Sequence, residues 1–60
     1  MSRILIIEDD KEISEIERDY LELDGFEADI ANNGITGLEK ALSGGYDLVL
    51  LDLMLPGMDG

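Results

Sequence analysis

Sixty residues allow at most one small domain, and a chain of this size buries only about 60% of its unfolded surface. Fifteen acidic residues face four basic ones, a formal charge of −11, which argues against direct binding to a phosphate backbone or to an anionic membrane. With neither cysteine nor histidine, the chain excludes disulfides, zinc held by those ligands, and Ser-His-Asp or Cys-His catalysis.

In chain order, Ile4, Leu5, Ile6 and Ile7 form a short apolar run closed by Glu8, Asp9 and Asp10. The run is too short for a helix and predicts a strand buried on both faces. Ile13, Ile16, Tyr20 and Leu23 then recur at helical spacing as the expected inward stripe, with Glu12, Glu15, Asp19 and Glu22 outside. Lys11 with Glu15 and Arg18 with Glu22 are four apart and predict weak helix support. Asp9 or Asp10 suits the helix start, and Gly25 its exit.

"FEADIA" alternates, Phe26, Ala28 and Ile30 against Glu27 and Asp29, which predicts a strand near a sheet edge. "NNG" is turn chemistry and opens a second helix, with Ile35, Leu38, Ala41 and Leu42 expected inward and Gly37 as a local weakness. "SGG" ends it, and "YDLVLLD" predicts a second strand buried on both faces, with Asp52 at its carboxyl end. The order β-α-β-α-β implies a parallel sheet with right-handed crossovers.

Ligands of open parallel sheets bind beyond the carboxyl ends of the strands. If the first and third strands are neighbours, Glu8, Asp9 and Asp52 converge there. Three such carboxylates repel unless a cation joins them, and Mg²⁺ suits a few carboxylates plus water. A single aspartate after a strand is more often a cap or turn former, which is the role expected of Asp10. Lys11 and Lys40 read as solvated helix charges. No Gly-rich phosphate loop or dinucleotide fingerprint follows the first strand.

"ILIIEDD", "NNG…GLEKAL" and "YDLVLLDLMLPGMDG" together resemble, in order and spacing, the amino-terminal half of a response-regulator receiver domain from two-component signalling. The resemblance covers essentially residues 1–60 and looks most like receivers of winged-helix transcriptional regulators. It implies a truncated flavodoxin-like (CheY-like) fold with three parallel strands in the order 2-1-3. It implies that Asp52 is the phosphoacceptor, forming an acyl phosphate with a sensor histidine kinase as donor. Glu8, Asp9 and Asp52 would hold Mg²⁺, Asp9 directly and Glu8 through water, with the backbone carbonyl of Met54 as a further ligand. Pro56 and Gly57 would shape the loop that follows. The family accepts phosphoryl groups rather than acting as an enzyme, with weak autodephosphorylation at most. It implies a cytoplasmic protein without membrane contact, meeting DNA only through an effector domain that these residues do not contain.

The departure from the family is the extent of the chain. The family has five strands, and its hydroxyl residue after strand four and lysine after strand five have no counterpart here, so a weakly active or inactive fragment is expected. In the order 2-1-3, the third strand (47–52) is an exposed edge, expected to self-associate with a second copy. The alternative reading is a self-assembling half-domain without signalling activity, of the kind made to study folding or fold evolution. A metal-dependent phosphatase with an aspartate nucleophile is discounted, because the second aspartate expected two residues after Asp52 is Met54.

Overall fold

The computed structural model describes residues 2–52, and Asp52 in its backbone only. Arg3–Glu8 forms β1, Lys11–Leu23 α1, Glu27–Ala31 β2, Gly34–Ser43 α2 and Leu48–Asp52 β3. Side-chain caps set the helix starts. Asp10 is in extended backbone, and its carboxylate accepts from the amides of Glu12 and Ile13, satisfying donors that the first turn leaves unpaired. Asn33 does the same for α2 by accepting from Thr36 N at 2.7 Å. At the exits, Gly25 and Gly44 take φ of 91° and 84°, left-handed backbone that favours glycine.

The strands pair in the order β2-β1-β3, all parallel. The connection from β1 steps one way across the sheet and the connection from β2 steps back over it. With right-handed crossovers, that reversal puts α1 and α2 on opposite faces. β1 is therefore the buried centre. Ile4, Leu5, Ile6 and Ile7 are all buried, joined by Ala31 of β2, and each large aliphatic side chain so covered contributes about 1.5–3 kcal/mol. On the α2 face, Leu5, Ile7 and Ala31 pack with Ala41 and Tyr46.

The helices do not turn their apolar stripes to the sheet as their spacing predicts. The stripe Ile13, Ile16, Tyr20 and Leu23 is exposed, rising to 82% at Leu23. The buried residue of α1 is Ser14, with Glu17 and Leu21 half-buried. These lie one position round the helix, a rotation of about 100°. The second helix behaves alike: Ile35, Leu38 and Leu42 are exposed, while Gly37 is buried and Ala41 half-buried. The fully buried position of each helix is a small residue, Ser14 in α1 and Gly37 in α2. A Cβ on Gly37 would stand 2.6 Å from Ile7 Cδ1, so this glycine serves packing and is more than a local weakness.

β3 is likewise not buried on both faces. Leu48, Val49 and Leu51 are exposed, because both helices lie over β1 and β2. β2 is one of the two sheet edges, as its alternation predicts, and β3 is the other. Among the described residues, Arg18 pairs with the adjacent Asp19 at 3.6 Å rather than with Glu22, and Lys11 forms no ion pair with Glu15.

Candidate functional site

The step reversal in this sheet falls between β1 and β3, and the crevice at such a point is where open α/β sheets bind ligands. Glu8 closes β1 and Asp52 closes β3, and the two are register partners across the ladder. Asp9 follows Glu8 at once and is exposed. The backbone thus brings Glu8 and Asp52 to one rung and sets Asp9 just beyond it.

The turn that carries these acids is fixed from several directions. Glu8 is 2% exposed, and a carboxylate so covered requires hydrogen bonds. Its Oε1 accepts from Asp10 N at 3.0 Å. Asp10 Oδ1 is occupied by Glu12 N and Ile13 N at 2.9 and 3.2 Å, so of the three consecutive acids Asp10 is the cap. The main-chain carbonyl of Glu8 accepts from Asn32 Nδ2 at 2.8 Å, and the same nitrogen lies 3.3 Å from Ser14 Oγ. Ser14 in turn donates to Lys11 O at 2.8 Å.

Nothing in the sequence marks Ser14 for this role, and Asn32, an asparagine directly after the β2 apolar positions, reads equally well as turn chemistry. Lys40 is also more engaged than a solvated charge, since its Nζ donates to Ile30 O at 3.1 Å.

As donors, carboxylates suit Mg²⁺ better than a thiol- or imidazole-preferring metal. Among the described residues, no three potential ligands are grouped closely enough to hold an ion. The Asp52 side chain, Met54, Pro56 and Gly57 lie outside the described residues. What fits the metal is the donor chemistry and the pairing of Glu8 with Asp52.

The amino ends of the strands carry a second polar cluster. Arg3 donates to Asp29 at 2.8 Å and lies 3.6 Å from Glu27. Its guanidinium stands 4.9 Å from the Tyr46 ring centroid. This cluster sits at the opposite end of the sheet from Glu8 and ties β1, β2 and the entry to β3 together.

Residues 4–60 match the response regulator receiver domain family. The chain is a member of that family. The receiver is 49% identical over 57 residues to the uncharacterized transcriptional regulatory protein YkoG of Bacillus subtilis, covering 95% of this chain and 25% of that protein. It is 47% identical over 60 residues to the CpxR homolog of Haemophilus influenzae, covering 100% of this chain and 26% of that protein. Its fold matches a chain in the crystal structure of histidine kinase ThkA in complex with response regulator protein TrrA, with a TM-score of 0.84 and 46% identity, over 95% of this chain and 49% of that one. The receiver sequence thus spans about a quarter of the length of the curated relatives it matches. No helix among the described residues is long and apolar enough to cross a membrane.

Proposed function

We propose that this chain is the phosphoaccepting part of a transcriptional response regulator, the amino-terminal half of its receiver domain. Asp52 takes a phosphoryl group from a sensor histidine kinase in the cytoplasm. The observation that carries this reading is the register pairing of Glu8 with Asp52 at the sheet's reversal point, within a chain of the receiver family. Glu8, Asp9 and Asp52, with the Met54 carbonyl, would hold Mg²⁺. When bound, the metal supplies charge neutralisation between the carboxylate and an incoming phosphoryl group.

The protein's own residues do the rest. The Asp52 carboxylate is the nucleophile: one of its oxygens forms a bond to phosphorus as the donor histidine's P–N bond breaks. Glu8 and Asp9 bring negative charge that keeps the site selective for a cation. Regulation of transcription belongs to the longer protein and to a DNA-binding effector domain.

A chimera tests the reading in a complete receiver. Residues 1–60 replace the matching segment of a relative, and the product is treated with acetyl phosphate and Mg²⁺. The expected result is one phosphoryl adduct, lost on chelation and absent in Asp52→Asn. An adduct that survives Asp52→Asn overturns the assignment of the acceptor.

A second reading, self-association through β3 (Leu48–Asp52), is favoured by the exposed Leu48, Val49 and Leu51 on a strand that pairs with β1 alone among the described strands. Such an edge is a template for another strand. Sedimentation at micromolar concentration should then give a dimer or larger species that Leu51→Lys weakens. A cooperatively folded monomer would sink this reading.

A further inference from the structure

We infer that Asn32 is a positioning residue for the acidic edge: its side-chain amide holds the Glu8–Asp10 turn in the conformation that binds a divalent cation. The inference rests on the Mg²⁺ reading of Glu8, Asp9 and Asp52 and adds a residue outside that set.

The argument begins with the ladder. β1 and β2 pair in register up to Ile7 and Ala31, and β2 ends there. The carbonyl of Glu8 is therefore one rung past the last pair on that side. A buried carbonyl without a donor is costly. Asn32, the residue after the strand, supplies the donor from its side chain at 2.8 Å, so the amide extends the ladder by one rung after the backbone has turned away towards α2.

The second hydrogen of the same amide has a defined use. Nδ2 carries two donors; one meets Glu8 O and the other faces Ser14 Oγ at 3.3 Å. Ser14 is 1% exposed and spends its own hydrogen on Lys11 O, leaving a lone pair for Asn32. The polarity runs in one direction, from amide to hydroxyl to carbonyl. Both partners of the amide are acceptors, which fixes its orientation. Asn32 thus joins the end of β1 to the first turn of α1, and Asp9 lies in the connection between those anchors.

From the other side the turn is closed by Asp10 N on Glu8 Oε1 and by the Asp10 cap. Remove Asn32 and the Glu8 carbonyl loses this side-chain donor, while the cap and the ladders to β2 and β3 remain. The expected consequence is a turn that still forms but samples more conformations. That costs metal affinity through the order of the ligands rather than their number.

The test is a Mg²⁺ titration of the chain, followed by the backbone amide NMR shifts of Glu8, Asp9 and Asp10, with urea unfolding of the same samples. Asn32→Ala should weaken Mg²⁺ binding about tenfold, as loss of an outer partner of a metal ligand does. Asn32→Gln, which keeps the donor, should recover part of the loss. Ser14→Ala leaves the Glu8 bond intact and should weaken binding measurably but less than Asn32→Ala. It decides the matter if Asn32→Ala does not fold. Wild-type Mg²⁺ affinity in Asn32→Ala, or in Ser14→Ala where that variant must decide, overturns the inference and leaves the metal reading standing. A wild-type chain whose Glu8 and Asp9 shifts ignore Mg²⁺ overturns the metal reading, and the inference falls with it.

Discussion

The Tyr46 hydroxyl donates to Asp29 Oδ2 at 2.6 Å, joining the entry of β3 to the middle of β2 across the buried strand β1. The two edge strands share no ladder, so this bond and Arg3 connect them at the amino end of the sheet. Arg3 donates to the same carboxylate oxygen, and its backbone exchanges bonds with Asp47: Arg3 N to Asp47 Oδ2 at 2.9 Å and Asp47 N to Arg3 O at 2.8 Å. The opposite end is then free to carry acids whose mutual repulsion does not help the fold.

This contact makes stability depend on pH at both extremes. The Tyr46 hydroxyl holds the Asp29 carboxyl below its ordinary range, opposed by burial and assisted by Arg3. A depressed carboxyl contributes stability that is complete above its unfolded pKa of about 3.9 and is lost as pH falls through the folded value. The same bond, then burial, raises the Tyr46 hydroxyl. That contribution is complete below about pH 10 and is lost as pH rises through the folded value. Tyr46→Phe should therefore cost about 1 kcal/mol near neutrality, a modest figure because the pair is partly solvated. Urea unfolding across the pH range should show the gap between wild type and variant narrowing at both ends. A pH-independent gap would assign the loss to packing alone.

Gly37→Ala should destabilise the chain although alanine is the better helix former by about 1 kcal/mol. The added Cβ would meet Ile7 Cδ1 at 2.6 Å and Cγ1 at 2.7 Å, and Ile7 is buried. Overpacking of this kind costs about 1–3 kcal/mol, so the net loss is about 1 kcal/mol. In an Ile7→Ala background the obstruction is gone and the same substitution should stabilise. A double-mutant cycle measures the reversal, and equal effects in both backgrounds would refute the close approach.

These residues mark what the sequence discloses. Each of the apolar runs 4–7 and 48–51 ends in an acid, so the pairing of Glu8 with Asp52 was legible from run lengths and the rule for parallel sheets. The rotation of the helices was not. Periodicity locates an apolar stripe but does not say which neighbour it meets; Ser14 and Gly37 are the buried positions of their helices, and Gly37 holds its place through close approach to Ile7. Asn32 and the Arg3–Asp29–Tyr46 cluster are joined by contacts 17 to 26 residues apart in sequence, and neither leaves a local pattern to read.

Glu17 lies among the half-buried residues of α1, and its Oε1 is buried without a hydrogen bond among the described residues. A polar atom in that state costs about 1–3 kcal/mol, and an apolar replacement removes the cost. Glu17→Leu should therefore raise stability by about 1–2 kcal/mol, whereas Glu15→Leu on the exposed face should change it little. Paired denaturation curves check the contrast, and no gain at position 17 would mean that the oxygen is satisfied in solution.

Asp9 and Asp10 are adjacent acids with separable tasks, and matched substitutions should divide them. Asp10 Oδ1 accepts two amides of the first turn of α1, a use that asparagine fulfils nearly as well as aspartate. Asp10→Asn should keep both stability and Mg²⁺ affinity. Asp10→Ala should lose about 1 kcal/mol of stability with the cap. Asp9 is exposed and has no part in the cap, so Asp9→Asn should leave the unfolding curve unchanged. On the proposed metal assignment it should weaken Mg²⁺ binding by at least about tenfold, since an outer partner alone accounts for that much. Mg²⁺ titration and urea unfolding of the four proteins separate the roles on two axes. If Asp10→Asn weakened the metal as much as Asp9→Asn, net charge would be the controlling quantity and the assignment of Asp9 as a direct ligand would fail.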